Sequence, residues 1–439
     1  MSAADAAAQA GASVILMEAG HETGGLIALQ PWQLRDRFDM FGGLTGEAYA
    51  RILERSARHA GAELVANAPV WDVDRDLNVS FIRGEMAHRV RARRLVVATG
   101  STDGVTPFPG WTMPGVVLLR EAMAVLSSQG HSPGLRALVV GGGDAALTVT
   151  TALLRRGAEA VTVACADQSV PASRVLVEEA AAEGVDILPG HRVSEALGER
   201  VVERAKIAPV DGAAAGTVDM EVDSVILATH RIPDFRAASL LGARASFREE
   251  MGGWVPQVDL NQRSSDHRVF IAGDASGVGN VASAIYGGRL AGLMAAADVG
   301  FTHPEHDRLA AEAVDGIAAR TGARIASGRQ QLARERIPDW SSLPESVVVC
   351  RCTGATLADI SAAIEPAGTT AAEVRRLSRA GMGLCQGIYC DDPVAEIVAA
   401  RTGTAVCVVG RPRARPPLRP IPLAALAGIY GRLQDLSFQ

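Results

Sequence analysis

Lysine is almost absent from this chain of 439 residues: Lys206 is the only one, and arginine supplies the other fixed positive charges. Chemistry that depends on a lysine Schiff base is therefore nearly excluded. None of the six cysteines stands in a C-x-x-C pair, which excludes a redox dithiol of the kind that reduces disulfides. No apolar stretch approaches the length of a membrane-spanning helix, so we expect no transmembrane segment.

The chain also has no excess of positive charge. Its formal net charge of −6 argues against nucleic acid as a main partner. The first twenty residues contain no basic segment followed by a long apolar run, so we expect no secretory signal. Hydrophobic residues make up 48% of the sequence, enough to form the cores of two or three domains. These properties predict a soluble cytoplasmic protein that would reach a membrane only through partners.

Four cysteines near the end of the chain are its most informative feature. Cys350 and Cys352 form a C-x-C pair, and Cys385 and Cys390 form a C-x4-C pair. Residues i and i+2 of an extended segment share a face, so the first pair can aim two sulfurs in one direction. Four converging thiolates are a ligand set for a [2Fe–2S] cluster. The sequence therefore predicts an iron–sulfur site and one-electron transfer.

Three alternatives to an iron–sulfur cluster stay open for these four cysteines. Structural zinc is one, although zinc sites usually leave a longer gap between paired cysteines than C-x-C does. Disulfides are another, although they are uncommon in a reducing compartment. The four thiols could also be buried without any shared role. The two remaining cysteines, Cys165 and Cys407, lie in apolar strand-like runs and are predicted to be small buried hydrophobic residues.

The first residues have features of a dinucleotide-binding fold. Residues 2–10 predict a helix, and residues 13–17 predict a short strand that ends in Glu18. A carboxylate at this place is the usual clamp on an adenosine ribose, and Gly24 and Gly25 allow the backbone to approach a ligand closely. The strand and G-x-G-x-x-G loop expected before the first helix are absent. From the geometry of this fold, we therefore expect that about ten to twenty residues that a working enzyme has before Met1 are missing from this chain.

Two later strands end in residues that suit a flavin nucleotide. One buried strand ends in Thr99 and Gly100, and another ends in Gly273 and Asp274. An acid at a strand end, followed by a glycine-rich helix start, suits the ribityl-phosphate end of a flavin. Val70 is a further candidate for binding the cofactor.

A second strand, glycine loop and helix is predicted at 137–157. Gly141 and Gly143 match the dinucleotide fingerprint, with Ala146 in place of its last glycine. After the next strand, Cys165 stands where an NAD site would carry an acid, and no arginine follows for the phosphate of NADP. The alternatives are a working NAD(P) site and a degenerate or repurposed one, which could hold another nucleotide such as ATP.

In this order, the motifs resemble flavoproteins of the pyridine nucleotide–disulfide oxidoreductase superfamily, which have two dinucleotide-binding domains. A closer resemblance, over nearly the whole chain, is to the flavoprotein subunits of hydrogen cyanide synthase, opine oxidases and hydroxyproline or proline dehydrogenases. The cysteine segment is similar to the bacterioferritin-associated-ferredoxin-like (BFD-like) [2Fe–2S] domain. The segments that carry the resemblance are PFPGWTMPGV (107–116), GVGN (277–280), CRC (350–352), RAGMGLCQGIYC (379–390) and RPPLRPIPLAALA (415–427).

The resemblance implies an α/β fold with two dinucleotide-binding, Rossmann-like domains plus a small helical [2Fe–2S] domain. It implies FAD as cofactor, with Glu18 on the ribose and Asp274 on the ribityl chain. The iron ligands would be Cys350, Cys352, Cys385 and Cys390. The implied partners are an amino-acid-oxidase-like flavin subunit plus a small ferredoxin-like subunit. No constellation for amine oxidation is visible, since a base needs a positioned partner, so we predict no catalytic residue in this chain.

Together these features predict the electron-transferring FAD and [2Fe–2S] subunit of a heteromeric amino- or imino-acid dehydrogenase or oxidase. The substrate would be an opine, proline, hydroxyproline or glycine. One alternative is a self-sufficient NAD(P)H-dependent flavoprotein reductase, which requires that the Gly141 loop binds a nicotinamide nucleotide. The other is a non-catalytic scaffold subunit that lacks FAD.

The predicted domain organisation follows the same resemblance. Thr356 and either Thr369 or Thr370 are expected to cap the two helices of the cysteine domain. The proline- and arginine-rich tail is either a flexible end or an arm that docks onto a partner. The predicted domains are an FAD-binding domain (1–105 and 235–300), a second dinucleotide-binding domain (106–234), a helical connector (301–345), a [2Fe–2S] domain (346–400) and a tail (401–439).

Overall fold

The structure, a computed structural model, describes residues 1–34, 40–212, 216–319, 339–367 and 370–426. Within these ranges no helix is both long enough and apolar enough to cross a bilayer. Helices and strands alternate over residues 2–65 and 116–189, the order of an α/β protein, whereas strands follow one another directly over 70–118 and 186–233.

The strands are mostly short. They are β1 (Ile15–Met17), β2 (Glu63–Val65), β3 (Val70–Val73), β4 (Asn78–Arg83), β5 (Met86–Arg91), β6 (Leu95–Val97), β7 (Ser101–Asp103), β8 (Val116–Leu118), β9 (Arg136–Val140), β10 (Ala160–Cys165), β11 (Asp186–Pro189), β12 (His191–Leu197), β13 (Arg204–Pro209), β14 (Val218–Glu221), β15 (Ser224–Leu227), β16 (Arg231–Pro233), β17 (Ala245–Arg248), β18 (Gly253–Pro256) and β19 (Val269–Ile271).

The helices predicted at 2–10, within 137–157 and in the cysteine domain are present, and the structure has others that were not predicted. The helices are α1 (Ser2–Gln9), α2 (Gly46–His59), α3 (Leu119–Ser128), α4 (Asp144–Arg155), α5 (Arg174–Ala182), α6 (Arg236–Leu240), α7 (Val281–Ala297), α8 (described over 306–319), α9 (Leu357–Ala367), α10 (Ala371–Ser378), α11 (Asp391–Thr402) and α12 (Val406–Val409).

The chain divides into two units. The described residues of the first unit fall within Met1–Thr102, Ile232–Ala326 and Arg413–Gln439. Those of the second fall within Asp103–Arg231 and Ser327–Pro412. The chain passes from the first unit to the second after Thr102 and returns after Arg231. Both positions lie near the predicted limits of the second dinucleotide-binding domain, 106–234. The five-part domain organisation remains a prediction, and residues 320–338 of its connector lie outside the described residues.

The first unit contains two parallel strand pairs, β1 with β2 and β6 with β19. Helix α1 packs on α7 at two glycines, where the backbones come close together. A methyl group added at Gly292 would lie 2.2 Å from the carbonyl oxygen of Ala3, so only glycine allows this approach. Strands β3, β4 and β5 form a separate antiparallel sheet.

The second unit contains a five-stranded sheet in the order β11-β10-β9-β15-β8, in which every described pairing is parallel. Its central strands are apolar and almost fully buried, as expected when helices cover both faces of a parallel sheet. Strand β9 leads through the glycine loop into α4, which is the order of a dinucleotide-binding unit.

The cysteine-bearing segment forms a helical module within the second unit. Thr356 caps α9 and Thr370 caps α10, each accepting a hydrogen bond from a backbone N–H three residues later, as predicted. Buried aliphatic side chains from α9, α10 and α11 form its core together with Trp340. The Trp111 indole, from the segment before β8, donates to the Val348 carbonyl oxygen at 2.5 Å.

The tail divides between the two units: residues 401–412 fall in the second, and residues 413–426 pack within the first. The Leu418 amide donates to the Trp71 carbonyl oxygen at 2.8 Å, and Leu418 joins the apolar core of that unit. Further along, Ala425 is buried beside Trp71 and Ile82. The described segment up to residue 426 therefore contacts this chain itself, whereas residues 427–439 lie outside the described residues.

Candidate functional site

Asp274 lies just after β19, in a 3-10 turn that leads to α7. Its Oδ2 accepts a hydrogen bond from the Ser101 hydroxyl at 2.8 Å, and its Oδ1 accepts one from the Gly279 amide at 2.7 Å. Asn280 caps α7 by accepting from the Ser283 amide. The carboxylate is thus held in a fixed orientation at the end of a parallel strand, where nucleotide ligands of α/β sheets bind.

Glu18 follows β1 directly and is half-buried. Its Oε1 accepts from the Gly20 amide at 2.8 Å, and its backbone continues the pairing with β2, because its amide donates to the Val65 carbonyl oxygen. The carboxylate therefore sits at the end of the first strand, as the sequence predicted. A carboxylate in this place can accept from ribose hydroxyls.

The glycines after Glu18 differ in their surroundings. Gly24 has φ +118°, and a methyl group there would lie 2.9 Å from the Ala28 side chain. Gly25 has φ +54°, and no atom lies within 4 Å of the place where its Cβ would be. Gly24 thus serves close packing, whereas Gly25 leaves its backbone accessible to a ligand.

Thr99 and Gly100 follow β6, the partner of β19. The Thr99 hydroxyl donates to the Asp234 carbonyl oxygen, and Gly100, at φ +76°, also faces open space. Val70 begins β3 and lies half-buried against the apolar core of the first unit. Its contact with a cofactor remains a prediction.

The predicted turn of the second unit forms between β9 and α4. Gly141 has φ +127°, and a methyl group there would lie 2.4 Å from the Ala228 carbonyl oxygen, so this position requires glycine. Gly143 is the N-cap of α4, and no side chain caps the helix there. The turn therefore has the backbone geometry of a dinucleotide loop.

The residues beyond this turn do not supply a ribose clamp. Cys165 ends β10 fully buried, and its sulfur lies 2.2 Å from the place where a Cβ of Gly142 would be. The Asp144 carboxylate accepts from the Ser173 amide at 2.7 Å, which ties the loop after β10 to the start of α4. Asp144, the acid of the loop at 141–144, therefore forms a hydrogen bond within the protein.

Two loops bring the four C-terminal cysteines together. The first is a tight turn in which the Gly354 amide donates to the Cys350 carbonyl oxygen at 2.8 Å. The second runs from the end of α10 to Cys390, the N-cap of α11. The loops meet where Gly383 lies against Cys352, since a methyl group on Gly383 would lie 2.2 Å from the Cys352 Cβ.

The sulfurs gather in two pairs. Cys350 and Cys390 hydrogen-bond to each other and are both buried, whereas Cys352 hydrogen-bonds to Cys385 and is exposed. In the described ranges, no three His, Cys, Asp or Glu side chains form a group suited to one metal ion. Two thiol pairs suit a cluster of two irons, in which each iron takes two of the four cysteines, better than one tetrahedral zinc.

Hydrogen bonding between the two buried cysteines shifts their pKa values in opposite directions. The hydrogen bond from the Cys390 thiol, together with those from Thr353 and the Gly381 amide, lowers the pKa of Cys350 to about 4. The same bond and burial raise the pKa of Cys390, and burial raises the pKa of Cys385. One thiolate is therefore already formed near neutral pH, and thiolates are the ligands of iron.

The other two cysteines lie outside this group. Cys165 is buried, as predicted. The prediction for Cys407 is wrong: it is exposed, because its apolar run forms the short helix α12 and not a strand. A helical turn directs Val406 and Val409 inward and leaves Cys407 outside.

Several residues at these sites could not be singled out from the sequence. Ser101 and Gly279 hold Asp274, but they lie 173 and five residues away from it. Gly381 donates to the Cys350 sulfur across 31 residues. The sequence signals were their positions in or beside the motifs: Ser101 follows the Thr99-Gly100 turn, Gly279 lies in GVGN (277–280), and Gly381 lies in RAGMGLCQGIYC (379–390).

The comparisons with known proteins agree with this geometry. Residues 1–288 match the family described as pyridine nucleotide-disulphide oxidoreductase, and residues 348–400 match the BFD-like [2Fe-2S] binding domain. An opine oxidase subunit of Rhizobium meliloti (strain 1021) is 28% identical over 96% of this chain and 94% of its own length. Hydrogen cyanide synthase subunit HcnB of Pseudomonas aeruginosa is 26% identical over 98% of this chain and 96% of its own length.

A solved structure shows a similar fold. The L-proline dehydrogenase from P. horikoshii aligns with a TM-score of 0.74, with 22% sequence identity, over 97% of this chain and 77% of its own. Together with the two family matches, this confirms the predicted fold class of Rossmann-like α/β domains with a BFD-like domain.

Proposed function

The chain belongs to the pyridine nucleotide-disulphide oxidoreductase family, and from this premise we propose that it is the electron-transferring subunit of a heteromeric amino- or imino-acid dehydrogenase. Its family and its BFD-like domain make it an FAD-dependent oxidoreductase that carries a [2Fe–2S] cluster. When bound, FAD can take up two electrons and release them singly, and the cluster carries one electron at a time.

The observation that carries the proposal is the pairing of the four cysteine sulfurs in a chain with a dinucleotide-binding unit. The buried pair, Cys350 and Cys390, and the more exposed pair, Cys352 and Cys385, would each hold one iron. The exposed pair leaves one side of such a cluster open to an electron acceptor. In the first unit, Glu18 and Asp274 would accept hydrogen bonds from the hydroxyl groups of FAD.

Three histidines, His191, His230 and His303, are each engaged within this chain, which supports substrate chemistry on another chain. The Nδ1 of His191 lies 2.7 Å from the Pro189 carbonyl oxygen, and the Nδ1 of His303 accepts from the Glu305 amide at 3.0 Å. His230 is buried beside Thr229. Each ring is engaged locally, whereas a catalytic base must face its substrate. The similar proteins are named as subunits, which supports a partner that binds the amino or imino acid.

The test is co-expression with an amino-acid-oxidase-like chain from the same genome. We expect a stable complex that reduces a one-electron dye when supplied with an opine, proline, hydroxyproline or glycine. The matched variant of the complex, Cys350→Ser, is expected to assemble but to lose most of this dye reduction. Substrate oxidation by the present chain alone, at the rate of the complex, would contradict the proposal.

NADH and NADPH are expected not to reduce the flavin of this chain within a turnover time. The reason is the buried Cys165 at the end of β10, where a ribose clamp would be needed. Anaerobic stopped-flow mixing, followed at the flavin absorbance, measures this directly. Rapid bleaching by either nucleotide would instead support a self-sufficient NAD(P)H-dependent reductase.

A further inference from the structure

A largely buried arginine contacts the second cysteine loop. Arg375 is on α10, and its side chain is only 14% exposed. Its Nε donates to the Ala380 carbonyl oxygen at 3.2 Å, and its Nη2 donates to the Gly381 carbonyl oxygen at 2.6 Å. Its Nη1 forms an ion pair with Asp391 at 2.9 Å. The planar guanidinium thus connects three groups around the loop.

The loop held by this arginine carries a hydrogen bond to a cysteine sulfur. The Gly381 amide donates to the Cys350 Sγ at 3.3 Å. Gly381 has φ +72°, and a methyl group there would lie 2.4 Å from the Arg375 Nε. The guanidinium therefore occupies the space that glycine leaves open, and it fixes the peptide whose N–H points at the sulfur.

The charge of the arginine is balanced locally. Asp391 is 9% exposed and directly follows Cys390. Arg411 also lies near this carboxylate, at 3.9 Å. The positive charge of Arg375 is paired at short range, so we expect it to act on the sulfur through the Gly381 N–H.

We propose that Arg375 is a positioning residue that raises the reduction potential of the cluster by holding the Gly381 amide on the Cys350 sulfur. The inference rests on the proposed ligation of a [2Fe–2S] cluster by the four cysteines. Reduction adds negative charge to the cluster and its sulfurs, and an N–H donor stabilises that charge. Without the arginine, the carbonyl oxygens of Ala380 and Gly381 lose the donor that holds them. The Gly381 amide is then expected to move away from the Cys350 sulfur.

The test compares Arg375→Gln and Arg375→Lys with the neighbouring exposed Arg376→Gln in the full-length, cluster-containing protein. A potentiometric titration followed by EPR measures the potential. We expect about a tenfold lower ratio of reduced to oxidised cluster at a given potential in Arg375→Gln, the size of one charge-assisted hydrogen bond. For a one-electron couple this ratio corresponds to a shift of about −59 mV. Arg375→Lys should shift in the same direction, and Arg376→Gln should not shift.

A second readout separates positioning from folding. In deuterated buffer, ENDOR of the reduced cluster should detect an exchangeable deuteron near sulfur, and its coupling should weaken in both Arg375 variants. Clusters with an unchanged potential and an unchanged deuteron coupling would overturn the proposal. So would the loss of iron from both Arg375 variants, because the arginine would then serve folding only. Absence of a [2Fe–2S] signal from the unmodified protein would instead refute the proposed ligand set.

Discussion

Cys350→Ser is expected to abolish the [2Fe–2S] cluster. The Cys350 sulfur is buried, receives the Gly381 N–H at 3.3 Å and is hydrogen-bonded to Cys390. A serine hydroxyl keeps the size of the side chain, but it does not form a thiolate and is a poor ligand for iron. Iron and acid-labile sulfide per chain should fall from about two of each to near zero, by the composition of the cluster.

The matched control is Cys407→Ser. Cys407 is exposed on α12 and shares no hydrogen bond with the four cysteines in the described part of the chain. This variant should keep its iron, sulfide and visible spectrum. An unmodified protein, prepared without oxygen, that contains zinc and no sulfide would refute the iron–sulfur assignment.

Loss of the cluster should also loosen the helical module. Metal binding contributes to the folding of small modules, because the ligands are not preorganised in the unfolded chain. The module nevertheless has its own apolar core, including Trp340 and Leu357. We therefore expect Cys350→Ser to increase proteolysis within residues 346–400 and to leave the first unit intact.

The sequence predicted those parts of the sites that follow from local rules. A glycine turn after an apolar strand predicts a nucleotide loop, and Gly141 has the left-handed φ and the close backbone contact that this loop needs. An acid at a strand end predicts a ligand-facing carboxylate, and Glu18 and Asp274 lie at strand ends. Thr356 and Thr370 cap their helices as predicted.

The other features of the sites depend on contacts between segments that are distant in the sequence. Spacing alone showed that two cysteine pairs exist, but not that Cys350 associates with Cys390 and Cys352 with Cys385. The sulfur partner of each cysteine is set by the way two loops meet around Gly383. Arg375 shows the same limit, because a helical arginine is ordinarily exposed, and only the folded loop gives it three partners.

Asp274→Ala is expected to weaken FAD binding by about tenfold to a hundredfold or more, the loss of one hydrogen bond to a charged group. The substitution removes the acceptor proposed for a ribityl hydroxyl. It also leaves the Ser101 hydroxyl and the Gly279 amide without the carboxylate that they now contact at 2.8 and 2.7 Å. The turn between β19 and α7 would lose the hydrogen bond through Ser101 that joins it to the Thr99-Gly100 turn.

The measurement is the flavin-to-protein ratio of the purified variant, followed by titration with FAD. Asp307→Asn is a suitable control, because Asp307 is an exposed acid on α8, away from both strand ends in sequence. The iron content of Asp274→Ala should stay at the level of the unmodified protein, since the four cysteines lie in the other unit. A variant that retains full flavin with unchanged affinity would show that Asp274 only stabilises the turn. A variant that loses iron together with flavin would contradict independent binding of the two cofactors.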